Sequence, residues 1–134
     1  MSEYTVVKTP ITDPDILRRA LQDAGVPFEE AQGNTLSLVG YLGDTRPQKA
    51  QFVVRRNHLS SASNDLGYTW DETQRCFVAQ ISAYDTGVKC TMDVHRQVTQ
   101  RAAYHQVVKT ARQRGLAVVS ETTASGHIQI TLRG

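Results

Sequence analysis

Most of this chain is cut into short runs rich in β-branched and aromatic residues, separated by only a few turn-forming residues. That spacing constrains the fold more than any motif. Parallel strands need a crossover of a dozen residues or more, whereas antiparallel strands can be joined by a tight turn. The strand-like runs are residues 3–9 (EYTVVKT), 27–31 (PFEEA), 34–42 (NTLSLVGYL), 50–57 (AQFVVRRN), 66–72 (LGYTWDE), 76–85 (CFVAQISAYD), 116–124 (LAVVSETTA) and 127–134 (HIQITLRG). Three hairpins are expected: around QGN at 32–34, around DETQR at 71–75 and around SG at 125–126. Residues 43–50 (GDTRPQKA) read as a polar turn or loop, and 58–65 (HLSSASND) as the most loop-like piece.

Two segments have helical period instead. Thr12 or Asp13 can cap the first and Pro14 suits its first turn. Ile16, Leu17, Ala20, Leu21 and Ala24 form its apolar stripe, and Gly25 suits the position just past its end. The second spans residues 92–114 and is closed by Gly115. The expected fold is α+β: an antiparallel sheet with both helices packed on one face, with two β-α-β-β halves as one way to build it. The other face is left to solvent or a partner. At 134 residues the chain is read as a single domain, 1–134, long enough to bury a core without staples.

The long helix carries an anomaly. At about 100° per residue, Arg101 falls near the centre of the arc that holds Val94, Val98, Ala102 and Val108. His105 lies beside it, and Gln97 and Tyr104 border it. An arginine buried without a partner is very costly, so an acid is expected opposite it. The candidates are Asp65, Asp71 and Asp85, with Asp65 preferred because it stands where a strand begins. The favoured reading is a structural clamp fixing helix on sheet. The alternative is a small anionic-ligand site or enzyme in which Arg101 orients an anion and His105 exchanges protons. No nucleophile stands at a motif-fixed spacing, so no catalytic residue is assigned.

Basic residues form two further sets: Arg96, Lys109, Arg112 and Arg114 on the long helix, and Arg46, Lys49, Arg55 and Arg56 around the middle strand. Together they offer a possible contact for an anion or nucleic acid. The net charge of +2 is too small to imply such a partner by itself. The four histidines are scattered and the two cysteines lack CxxC spacing, so no metal and no disulfide framework is read. Without a GxGxxG or Walker loop, no cofactor is assigned. No apolar run approaches the roughly 20 residues of a membrane span, and the N-terminus does not read as a signal peptide.

Four stretches occur in the order of a known family: EYTVVKTPITDPDILRRALQDAG, QKAQFVVRR, NDLGYTWDE and VTQRAAYHQVVKTARQRGLAVV. Over nearly its whole length the chain resembles the hypothetical chloroplast reading frame thirty-five family, a domain of unknown function from algal plastids, cyanobacteria and other bacteria. Thr99, Gln100 and Arg101 with Tyr104 and His105 are the most specific part, then Asp65, Leu66, Gly67 and Tyr68. SEYTVVKT departs from the family's usual opening, and the HLSSASN loop is longer and more polar. The resemblance implies a stand-alone soluble domain in the cytoplasm, or in the plastid stroma if plastid-encoded. It brings no activity, cofactor or catalytic residues. The expected function is therefore a non-enzymatic accessory or adaptor role through protein–protein contact, with nucleic-acid binding as the alternative.

Overall fold

The computed structural model describes residues 3–124 and 127–134. The elements run β1 (Tyr4–Lys8), α1 (Pro14–Asp23), β2 (Glu29–Glu30), β3 (Leu36–Val39), β4 (Thr45–Ala50), β5 (Phe52–Val54), β6 (Leu66–Asp71), β7 (Cys76–Ser82), α2 (Lys89–Gln113), β8 (Ala117–Ala124) and β9 (His127–Arg133). The fold is α+β and every strand pair is antiparallel. A five-stranded sheet has the order β1-β7-β6-β5-β2; β3–β4 and β8–β9 form separate two-stranded ribbons.

Strand alternation divides the main sheet into two faces. Phe52, Val54, Leu66, Tyr68, Phe77, Ala79 and Ile81 share one face. They join Ile16, Leu17, Ala20 and Leu21 of α1 and Val98 and Ala102 of α2 in the main core. Both helices thus cover one face. Asp13 caps α1, accepting the Asp15 amide at 2.8 Å, and Gly25 takes φ +71° just beyond the helix. The opposite face is not left wholly bare: Leu38 and Ala50 of the β3–β4 ribbon pack on Val53 in a second cluster. A Cβ on Gly67 would lie 3.0 Å from both the Ala50 Cβ and a Leu38 methyl. The absent side chain lets ribbon and sheet approach.

Several expected boundaries shift. The PFEEA segment contributes β2, which pairs with β5, Glu29 opposite Val53, and not with the NTLSLVGYL segment. The supposed loop at residues 43–50 contains β4, the partner of β3. Pro47 and the charges there suit a strand whose outer edge pairs with no further strand among the described residues. The first hairpin therefore turns at residues 40–44, where Gly40 accepts the Gly43 amide at 2.9 Å and Gly43 has φ +81°. The long helix starts at Lys89, with Val88 at its N-cap and no side-chain cap to mark the start in sequence. The SG turn of the last hairpin lies outside the described residues.

Candidate functional site

The buried residues of α2 are Thr91, His95, Val98, Ala102 and Ala111. The histidine on the greasy face is thus His95, whose Nδ1 lies 2.9 Å from the Tyr68 hydroxyl, with the two rings stacked. Burial, and secondarily the nearby Arg96 charge, push its pKa down, disfavouring the charged ring. Arg101 and His105 occupy the neighbouring row. The C-terminal half of α2 turns this row away from the sheet, toward the end of α1 and the last ribbon.

There Asp23, the last residue of α1, takes both. Its Oδ2 accepts Arg101 Nε at 2.9 Å and lies 2.6 Å from His105 Nε2. Burial raises the Asp23 carboxyl, but the Arg101 and His105 hydrogen bonds and charges outweigh it, and the net shift is downward. The Arg101 guanidinium also sits 4.3 Å from the Tyr104 ring centre and 3.7 Å from Glu121 of β8. A hydrogen bond with Glu121, and burial, push the Tyr104 phenol up. One junction therefore joins α1, α2 and the β8–β9 ribbon. Asp23 escapes a sequence reading that looks for the acid on strands; its place at the end of the first helix is the signal that could have found it.

Asp65 does not face Arg101. It is sealed in the main body, where Oδ2 accepts Arg55 Nη1 and the Val39 amide, each at 2.7 Å, and Oδ1 accepts the Arg56 amide at 2.7 Å. Arg55 also holds Glu29 through Nε at 2.7 Å and the Ser37 carbonyl at 2.9 Å. The register of β5 on β6 brings Arg55 past the end of one strand and Asp65 before the start of the next. That proximity requires knowing which strands pair. Gln97 is exposed and stays outside both clusters. Of the expected polar set, the structure brings together Arg101, Tyr104 and His105.

Next to Asp65, a polar knot seals the loop. Asn64 accepts the Tyr41 amide at 3.0 Å and donates to Ser82 Oγ at 2.9 Å, while its own amide reaches Asp85 Oδ2 at 2.9 Å. Asp85 Oδ1 is buried without a hydrogen-bond partner among the described residues, and burial raises its pKa. Asp71 serves instead the β6–β7 turn, accepting the Thr73 and Gln74 amides.

The basic residues are mostly spent internally. Besides Arg55, Arg56 holds the Ser63 and Ser61 carbonyls. Arg46 faces Asp44 and the Tyr4 ring. Arg96 pairs with Asp93, and Lys109 with the capping Asp13 at 2.6 Å. Lys49, Arg112 and Arg114 are exposed. A shallow groove between α1 and α2, about 330 Å³, is lined by Arg19, His105, Lys109 and Arg112 together with Asp13 and Asp15, so its charges are mixed. Among the described residues no three His, Cys, Asp or Glu side chains gather where a metal could bind. No helix among them is long and apolar enough to cross a membrane.

Two helices packed on one face of an antiparallel sheet, with ion pairs tying the elements at their ends, define the class of the protein as α+β. The chain belongs to the family described as a protein of unknown function (DUF1257), which matches residues 20–131. It is similar to the uncharacterized protein ycf35 of Guillardia theta, 26% identical over 134 residues that cover 99% of this chain and 97% of the relative. It is also similar to the uncharacterized protein ycf35 of Pyropia yezoensis, 21% identical over 115 residues covering 86% and 82%. No solved structure matches.

Proposed function

We propose that this single domain is an adaptor that acts by protein–protein contact, in the cytoplasm or the plastid stroma, and that its C-terminal ribbon is the docking arm. The observation that carries the reading is where β8–β9 stands. It supplies no residue to either apolar cluster among the described residues. It leaves Val119 and Leu132 exposed. An isolated two-stranded ribbon is marginal in water and gains most from a further strand or surface. Here α2 and the Arg101 junction hold it, and a partner strand or apolar surface completes it. The Arg101 and Asp65 clusters are engaged in internal ion pairs, which favours an interaction role.

The test is capture of partners by the tagged protein from its own cell extract, with and without nuclease. A stoichiometric protein that survives nuclease, and is lost from Leu132→Asp and Val119→Asp, is the expected result. Loss of every captured protein on nuclease treatment would instead support nucleic-acid binding. An empty capture, or turnover of a metabolite by the protein alone, would sink the adaptor reading.

A further inference from the structure

The five-stranded sheet has two unequal edges. β2 is only two residues long, whereas β1 is a regular strand of five. The Thr9 amide donates to the Phe77 carbonyl at 3.3 Å, and the Ala83 amide to the Glu3 carbonyl at 2.6 Å. The register between them sets Thr5 opposite Ile81 and Val7 opposite Ala79. Hydrogen-bonded pairs alternate along an antiparallel ladder. The odd-numbered residues therefore bond to β7, and the backbone N–H and C=O groups of Tyr4, Val6 and Lys8 point away from the sheet. Protein edges are ordinarily blunted by proline, a bulge, an inward charge or extreme shortness. β2 is short, and the β4 edge carries Pro47. β1 has no proline or bulge, its only charge is Lys8 at the end, and Val6 is 61% exposed.

We propose that β1 pairs with β1 of a second copy of this chain, antiparallel about Val6, making the two main sheets one continuous sheet across a twofold axis. The strand is complementary to itself in that register. Tyr4 falls opposite Lys8, Val6 opposite Val6 and Thr5 opposite Val7. All three outward-pointing residues then find outward-pointing partners, for about six hydrogen bonds at two per bonded pair. Glu3 lies opposite Thr9, so no like charges meet. Centring the pair on Lys8 would oppose two lysines, which is unfavourable, and centring it on Tyr4 would strand Lys8. A twofold, isologous contact needs such self-complementarity. With the twofold normal to the sheet, the helices of both copies lie on the same face.

Sedimentation of the full chain over a roughly hundredfold concentration range tests this by mass action. The mass is expected to rise toward twice that of the chain. Val6→Pro removes an amide that points outward, a substitution edge strands tolerate, and Val6→Lys opposes two charges. Circular dichroism and the unfolding midpoint establish that each variant is folded. Both folded variants are expected to lose the dimer, while Leu132→Asp on the separate β8–β9 ribbon keeps it. A wild-type chain that stays monomeric throughout the range overturns the proposal. So does a dimer that survives in either folded Val6 variant; should Val6→Pro not fold, Val6→Lys decides.

Discussion

Asp65 and Asp85 are both sealed from solvent, yet their carboxylates meet opposite conditions. Asp65 is matched by a guanidinium and two backbone amides. Removing it leaves Arg55 short of a partner and those amides unpaired. Asp65→Ala is expected to cost about 3 kcal/mol, the order seen when one member of a buried pair is removed, measured by urea unfolding. Asp85 keeps an oxygen without a hydrogen-bond partner among the described residues, and its carboxyl is raised by burial. A carboxyl raised in the folded state contributes stability that is complete below the unfolded pKa and lost as pH rises through the folded one. Asp85→Asn should therefore gain on the wild type as pH rises above the ordinary aspartate range. A variant that instead falls behind with rising pH would show that the Asp85 charge is stabilising. Only the fold distinguishes these two aspartates, because their partners come from distant strands.

At the scale of elements, two contacts set the layers. Gly67 lets the β3–β4 ribbon sit on the sheet, with Ala50 and Leu38 at the distance a side chain would need. Gly67→Ala is expected to destabilise by about 2 kcal/mol through overpacking, read from the unfolding midpoint. An unchanged midpoint would mean the ribbon yields freely. The second contact is the junction of Arg101 with Asp23 and Glu121. These side chains remain partly exposed, so Arg101→Met should cost only about 1 kcal/mol overall. Its effect should be local: amide exchange accelerates in β8–β9 and the end of α2 while β6 and β7 keep their protection. Uniform acceleration would show that the junction holds the whole fold.

For the whole molecule, ion pairs between distant elements make the acid limb the informative one. Lys109 lowers the Asp13 carboxyl, Arg55 that of Glu29 and Arg18 that of Glu30, each chiefly by a hydrogen bond; Asp23 is also lowered, against the opposing effect of its burial. Carboxyls lowered in the folded state contribute stability that is present above their unfolded pKa and lost as pH falls through the folded values. Stability should therefore decline from about pH 5 downward, and Asp23→Asn should flatten part of that decline. A wild-type acid limb unchanged in Asp23→Asn would mean the junction contributes nothing to it.

The sequence alone determined the antiparallel α+β class, the first helix with its cap, and the existence of a polar row on the second. Local signals suffice there: turn spacing, periodicity and capping act within a few residues. It also singled out Arg101 with Tyr104 and His105, and Asp65, as residues whose burial or pairing required an explanation. Tertiary structure decided who pairs with whom. Arg101 meets Asp23 because the two helices pack together, and Asp65 meets Arg55 because β5 lies beside β6. The same packing put His95 rather than His105 on the inward face, and joined β4 to β3 where the sequence suggested a loop. Charge pairing depends on distance in space, and no local pattern encodes which of several acids will lie within reach of an arginine.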